Sequence, residues 1–141
     1  WMYQQYMRNY LACIQSVDDN IGRVLDYLDK NGLSEDTVVV YTADQGFFLG
    51  DHGLYDKRLM YEHTLRMPLL VRYPREIKPA SQSDRMVLNL DFASTLLDYA
   101  GISTPADIQG KSFQSIAKGE TPAQWRTGMY YHFYGLGTRS D

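Results

Sequence analysis

Two hard oxygen donors stand next to each other after an apolar run: the Asp44 carboxylate and the Gln45 side-chain carbonyl, followed by Gly46. Carboxylate and carbonyl oxygens are the ligands that Ca²⁺ and Mg²⁺ prefer, whereas Zn²⁺ favours His and Cys. Because α/β sheets bind ligands at the carboxyl ends of their strands, the pattern predicts part of a metal or anion site here. Two ligands do not fill a shell of about six to eight oxygens, so any metal needs further carboxylates.

Lys57 and His52 lie in the segment that follows these donors. A lysine can bind a tetrahedral anion such as sulfate or phosphate and stabilise charge that develops on it. Beside Asp56 and Arg58, however, a lysine is also typical of a solvated surface cluster. A loop histidine can donate a proton or bind substrate, but it is more often structural. Taken singly, each position therefore has an ordinary structural explanation as well.

The elements that must position these residues follow from hydrophobic periodicity. Apolar residues at three- and four-residue steps predict a helix over 6–28, and Asn-Gly at 31–32 predicts its end. Two apolar runs, 37–41 and 69–73, predict strands without polar alternation, which we expect to be buried on both faces of a parallel sheet. Residues 44–61 have no clean period and are expected to form a functional loop.

The second half of the chain is predicted to contain short elements. These are a helix at 61–66, a strand at 86–88, a helix at 91–99 with Asp91 as its N-cap, a helix within 111–118 and an aromatic edge strand at 129–134. Cys13 falls on the apolar stripe of the first helix and is expected to be a small core residue.

Composition excludes several classes of protein. Of the 141 residues, 44% are hydrophobic and 22% charged, which is ordinary for a globular domain. The net charge of −3, without a long basic run, gives no reason to expect nucleic-acid binding. No apolar run approaches the roughly 20 residues of a membrane span. The single cysteine excludes an internal disulfide framework.

Three short motifs occur together, and their combination is far more specific than any one of them. They are Tyr41-Thr-Ala-Asp-Gln-Gly46, Asp51-His-Gly53 and Asp56-Lys-Arg58. With Arg66-Met-Pro68 after them, these motifs closely resemble the sulfatase family. The resemblance extends over about residues 2–118 and corresponds to the second half of the catalytic domain.

The resemblance implies a fold and a domain organisation. The fold is a partial alkaline-phosphatase-like, three-layer α/β fold with a mainly parallel sheet, as a fragment that lacks the N-terminal half. The chain is then a single fragment, with 1–118 as its main α/β part and 119–141 as a tail that carries the aromatic edge strand.

The resemblance also implies roles for individual residues. Asp44 and Gln45 correspond to ligands of a calcium ion, although much of the family has Asn or His at the second position. Gln45 can supply the same carbonyl oxygen as Asn. Lys57 corresponds to the catalytic lysine that contacts the sulfate ester, and His52 and Arg58 are expected to contact the substrate.

The implied activity is sulfuric ester hydrolysis on sulfated glycans, of the N-acetylglucosamine-6-sulfate type. The family's nucleophile is a hydrated formylglycine made in a Cys/Ser-x-Pro-Ser-Arg motif, and the run at 13–17, Cys-Ile-Gln-Ser-Val, lacks the proline and the arginine. We therefore expect the formylglycine and the remaining calcium ligands in a missing N-terminal half, and we expect this chain to be inactive alone. The parent protein is expected to be periplasmic or extracellular.

Two other functions remain open on the sequence. The alkaline phosphatase superfamily includes phosphoester and phosphonate hydrolases, although Gln45 and the scarcity of histidine favour sulfate over a site with two transition metals. The 12 tyrosines and the missing nucleophile also fit a non-catalytic glycan-binding module. Because the partner strands of the first half of the domain are absent, we expect the exposed strand edge and apolar faces to drive self-association of the chain into a dimer or higher oligomer.

Overall fold

The structure, a computed structural model, describes residues 1–132. Its helices and strands are α1 (Met2–Lys30), β1 (Val39–Thr42), β2 (Phe48–Leu49), β3 (Tyr55–Asp56), α2 (Glu62–Leu65), β4 (Leu69–Arg72), α3 (Asp91–Tyr99) and α4 (Gln114–Ala117). The chain divides into two units. The first is Trp1–Val39 with Tyr73–Arg75, and the second is Val40–Arg72 with the residues from Glu76 onward.

The first unit is built on α1, which confirms the predicted long helix. It ends where the Asn-Gly pair predicted, because Gly32 adopts a left-handed conformation with φ of 67°. The amide of Gly32 donates to the carbonyl of Asp29 at 3.2 Å, and the amide of Leu33 donates to that of Leu28 at 2.9 Å. None of the helices within the described residues is both long and apolar enough to cross a membrane.

The apolar stripe of α1 is only partly covered: Tyr10, Ile21, Leu25 and Leu28 are half-buried, and its other residues are exposed. No residue of the helix is buried, and the exposed side chains include Leu11, Ile14 and Val17. Cys13 is exposed as well, so the prediction that it is a core residue is wrong for this chain. The physical reason is that α1 buries none of its residues against the rest of its unit.

β4 and, apart from its first residue Val39, β1 belong to the second unit, where they pair in a two-stranded sheet. This confirms both predicted strands. The prediction that both faces are buried is wrong, since Leu70 of β4 is 64% exposed. Within residues 1–132, each of these strands has only the other as a neighbour, and no further layer buries both faces of the two-stranded sheet. The mainly parallel character of a complete sheet stays a prediction.

The predicted functional loop contains regular structure of its own. β2 and β3 form an antiparallel hairpin in which Phe48 is opposite Asp56 and Leu49 is opposite Tyr55. A 3₁₀ turn, Asp51–Gly53, connects the two strands.

The short elements of the second half are confirmed in part. Helices α2, α3 and α4 lie within their predicted ranges. Residues 86–88 and 129–132 form no strand, because neither segment pairs with another strand in the described structure, so these two predictions are wrong there. Residues 133 and 134 of the predicted edge strand lie outside the described residues.

Asp91 has a different role from the predicted N-cap. It is the first residue of α3, whose N-cap is Leu90, and its side chain is completely buried. The carboxylate accepts hydrogen bonds from the backbone amides of Leu88 and Lys111, both at 2.8 Å. Both its oxygens are also bound by the guanidinium of Arg126, with Nη2 2.7 Å from Oδ1. Asp91 therefore joins three segments rather than capping one helix.

The segment that carries Arg126 is fixed to the same region by a second residue. The indole Nε1 of Trp125 donates to the carbonyl of Met86 at 2.7 Å, and the Arg126 guanidinium lies 5.0 Å from the centre of the Trp125 ring. Nearby, Gly110 packs so closely that an added Cβ would lie 1.9 Å from the carbonyl oxygen of Leu90. These contacts join α3 to the segments around residues 86–90, 110–111 and 125–126.

Candidate functional site

The segment after β1 is held by the turn at α2. The Gln45 side-chain amide donates to the carbonyl of Thr64 at 2.7 Å, and the Gly46 backbone amide donates to the same carbonyl at 3.1 Å. The Phe47 amide donates to the carbonyl of His63 at 2.8 Å. Only glycine fits at position 46, because a Cβ there would lie 2.2 Å from the His63 carbonyl oxygen. Since this bonding uses the NH₂ end of Gln45, its Oε1 remains the end that can bind a cation.

Asp44 stands at the end of β1 with an exposed side chain, next to the partly buried Gln45. The carboxylate and the amide carbonyl fit a hard cation such as calcium, as two of about six to eight oxygen ligands. Within residues 1–132, no cluster of three or more His, Cys, Asp or Glu side chains could hold a metal ion. The pair is thus suitable for part of a calcium shell and insufficient for a whole one.

The β2–β3 hairpin is anchored by an aromatic contact. Phe48 is 1% exposed. Its ring meets Tyr61 edge-on, with centroids 5.6 Å apart, and stacks on His63 at the same distance. The hairpin is therefore packed against the residues that begin α2, the same turn that holds Gln45.

His52 lies at the tip of the hairpin with an exposed side chain and a left-handed backbone, φ 56°. Its ring centroid is 5.1 Å from that of Tyr61 and 5.3 Å from that of His63. Sequence reasoning did not identify His63. No local signal marks it, because its position depends on the backbone pairing of residues 46–47 with 63–64.

Asp51 connects the turn to this cluster. Its carboxylate accepts a hydrogen bond from the Leu49 amide at 3.1 Å and lies 3.6 Å from Nε2 of His63. The Leu49 hydrogen bond is the main cause that holds the pKa of the Asp51 carboxyl below its ordinary value of 3.8, and the imidazoles of His63 and His52 act in the same direction.

The lowered pKa of Asp51 predicts a pH dependence of stability. A group whose pKa is lower in the folded state stabilises the fold above its unfolded pKa, and that contribution is lost as the pH falls through the folded pKa. We expect wild type to be more stable to urea than Asp51→Asn at about pH 7, and the difference to shrink as the pH falls below about 4. Asp84→Asn, which removes an exposed loop carboxylate, is the control. If wild type and Asp51→Asn differed in stability to urea by the same amount at about pH 3 and pH 7, the lowered pKa of Asp51 would be contradicted.

Lys57 follows β3 directly, and its side chain is exposed. The residues on either side of it are held in place. Asp56 has a left-handed backbone, φ 73°, and its carboxylate lies 3.6 Å from Nη2 of Arg58. The carbonyl of Arg58 accepts a hydrogen bond from the hydroxyl of Tyr131 at 2.9 Å.

The structure thus brings some of the predicted site residues into one neighbourhood. Gln45 and His52 both contact the turn at the start of α2. Lys57 and Arg58 lie at the end of the hairpin, and the approach of Lys57 to the donors at 44–45 stays a prediction.

Comparison with protein families identifies this segment. A family model described as "N-sulphoglucosamine sulphohydrolase, C-terminal" matches residues 50–140. The chain is 56% identical over 136 residues to an N-acetylglucosamine-6-O-sulfatase of Bacteroides thetaiotaomicron. The matched segment is 95% of this chain and 24% of that protein.

Two solved structures are similar as well. One, in complex with its substrate D-glucosamine-2-N,6-O-disulfate, has a TM-score of 0.92 and is 55% identical in sequence. The similarity covers 96% of this chain and 28% of that protein chain. The other, a phosphonate monoester hydrolase of Silicibacter pomeroyi, has a TM-score of 0.73 and is 35% identical in sequence. The similarity covers 78% of this chain and 22% of that protein chain. The chain thus spans about a quarter of the length of these proteins.

Proposed function

This chain belongs to the sulfatase family, and from that membership we propose that it is the C-terminal part of a catalytic domain that removes sulfate from glycans. The proposed substrate carries N-acetylglucosamine-6-sulfate or a related 6-sulfated glucosamine. The observation that carries this proposal is the 56% identity to the Bacteroides N-acetylglucosamine-6-O-sulfatase. The similarity to a structure that holds a 6-O-sulfated glucosamine supports it.

We propose the following roles at the site. Asp44 and Oε1 of Gln45 hold a calcium ion, together with ligands from another part of the domain. When bound, this ion acts as a Lewis acid that neutralises charge on the sulfate oxygens. Lys57 binds the sulfate ester through its ammonium group. His52 and Arg58 contact the substrate, and the hydrogen bond from Gln45 to the Thr64 carbonyl orients the Gln45 oxygen.

We further propose that the rest of the domain supplies the nucleophile and covers the apolar stripe of α1. The chain spans only 24% of the Bacteroides relative, which leaves most of a domain to provide these parts. The chain alone is then inactive, because its sequence lacks the formylglycine motif and residues 1–132 hold no group of side chains that could complete a calcium shell.

The uncovered surfaces predict the behaviour of the isolated chain. The exposed Ile14 and Val17 of α1 and the exposed Leu70 of β4 form apolar surface that water disfavours. We expect the 141-residue chain to sediment as a dimer or larger species at micromolar concentration, and the double variant Ile14→Glu, Val17→Glu to associate less. A monomeric wild-type profile in sedimentation velocity would contradict this expectation.

A chimera tests the proposed activity. In the Bacteroides N-acetylglucosamine-6-O-sulfatase, the segment matched by this chain is replaced by this chain. We expect the chimera to release sulfate from N-acetylglucosamine-6-sulfate, with calcium present and a chelator as the control. A folded chimera that releases no sulfate, while the unaltered Bacteroides enzyme does, would exclude the proposal.

Phosphonate monoester hydrolysis is the second candidate function, since a phosphonate monoester hydrolase shares 35% identity and a TM-score of 0.73. The same chimera decides between the two. Preference is measured as kcat/KM on a phenyl phosphonate monoester against that on N-acetylglucosamine-6-sulfate. Because the rest of the domain comes from the Bacteroides enzyme, a ratio shifted toward the phosphonate relative to the unaltered enzyme would favour this candidate over sulfate hydrolysis.

A further inference from the structure

A hydrogen bond connects the end of the described chain to the segment that follows β3 and carries Lys57. The hydroxyl of Tyr131 donates to the backbone carbonyl of Arg58 at 2.9 Å, across 73 residues of sequence. Tyr131 is partly buried, whereas its neighbour Tyr130 is 86% exposed. Because Arg58 directly follows Lys57, this bond acts on the backbone next to the proposed sulfate-binding ammonium.

The chain is anchored shortly before Tyr131. Trp125 donates to the carbonyl of Met86 at 2.7 Å. Arg126 binds both oxygens of the buried Asp91. These contacts tie residues 125–126, five residues before Tyr131, to Met86 and to the start of α3, which limits how far the Tyr131 segment can move from them.

The backbone around Lys57 needs such support because its local conformation is unfavourable. Asp56 is a non-glycine residue with a φ of 73°, a conformation that L-residues rarely adopt. Beyond Lys57, the hydroxyl of Thr64 donates to the carbonyls of Leu59 and Tyr61. Thr64 therefore binds the loop from residue 59 onward, and Tyr131 binds the Arg58 carbonyl, which lies between that part of the loop and Lys57.

We propose that Tyr131 is a positioning residue for Lys57: its hydrogen bond to the Arg58 carbonyl fixes the backbone from which the lysine reaches the sulfate ester. The inference rests on the proposed function for the role of Lys57. A lysine side chain is long and flexible, so the placement of its ammonium depends on the placement of its backbone. A small displacement of a group that must contact the reacting ester lowers the rate.

The first test needs no activity and uses the 141-residue chain. Amide hydrogen exchange of residues 57–60 is compared between Tyr131→Phe, which removes only the hydroxyl, and the control Tyr130→Phe. We expect exchange at least about fivefold faster in Tyr131→Phe, since the loop opens more readily without the bond. Equal exchange in the two variants would overturn the inference.

The second test uses the chimera. We expect Tyr131→Phe to lower kcat/KM for sulfate release about fivefold and Tyr130→Phe to leave it unchanged. Because the sulfate ester is charged before it reacts, a displaced ammonium raises KM as well as lowering kcat. A variant that only reduced the amount of folded protein would instead lower the apparent kcat and leave KM unchanged. In a Lys57→Ala background, Tyr131→Phe should have no further effect.

The two tests separate the two ways of failing. A chimera without sulfatase activity overturns the proposed function, and the exchange rates then still decide whether Tyr131 fixes the loop. An active chimera in which Tyr131→Phe equals Tyr130→Phe, or adds fully to Lys57→Ala, overturns the role of Tyr131 alone.

Discussion

Lys57→Ala in the chimera is expected to lower kcat/KM for sulfate release by about a hundred- to a thousandfold, the usual cost of removing one group that stabilises transition-state charge. The expected loss is large because the proposed ammonium contact acts directly on the charged sulfate oxygens, where charge increases in the transition state. The fold should be retained, since the Lys57 side chain is exposed. The measurement is sulfate release at a series of substrate concentrations.

The matched control for this change is Lys78→Ala, which removes an exposed lysine from the loop at 75–84. We expect this variant to keep wild-type kcat/KM and Lys57→Arg to recover part of the loss, because the charge is kept while its placement changes. If Lys57→Ala lost less than about threefold in kcat/KM, Lys57 would not be the sulfate-binding residue.

The second large effect is on stability. We expect Asp91→Ala to lower the free energy of unfolding by about 3–5 kcal/mol, because it leaves the largely buried Arg126 guanidinium without its carboxylate partner. The Asp91 side chain is 0% exposed and that of Arg126 only 14%. The change also removes the acceptor of the Leu88 and Lys111 amides. Urea unfolding of the chimera, with the exposed Asp84→Asn as the control, measures the difference.

A double variant shows whether the loss comes from the unpaired charge. Asp91→Leu combined with Arg126→Met removes both charges, and replacement of a whole buried ion pair by apolar residues is often far less costly than removal of one partner. We therefore expect the double variant to be more stable than Asp91→Ala. An Asp91→Ala variant within about 1 kcal/mol of wild type would contradict this account of the buried pair.

Local patterns predicted the elements whose formation depends on their own residues. The apolar period of α1, its Asn-Gly end and the β-branched run of β1 all correspond to the structure. Predictions that depended on which other segment packs against an element or pairs with it were wrong. Cys13 is exposed because the described structure leaves its part of the stripe uncovered, and residues 86–88 form no strand because no strand lies beside them.

The same distinction holds for the site. The motifs selected Asp44 and Lys57 because their residue types and order are local properties of the sequence. They could not identify His63 or Tyr131, whose contacts join segments far apart in the chain, the Tyr131 bond spanning 73 residues. Asp91 was selected for the wrong role, since a carboxylate before a helix looks the same whether it caps that helix or binds an arginine 35 residues away.

The central claim is that Asp44, Gln45 and Lys57 meet at one sulfate ester. The most direct measurement is a crystal structure of the chimera with calcium and a 6-sulfated glucosamine bound. We expect the Asp44 carboxylate and Oε1 of Gln45 each about 2.3–2.6 Å from one calcium ion. Nζ of Lys57 should lie about 3 Å from a sulfate oxygen. A bound substrate with the calcium ion on neither side chain, or with the ammonium directed away from the sulfate, would contradict the claim.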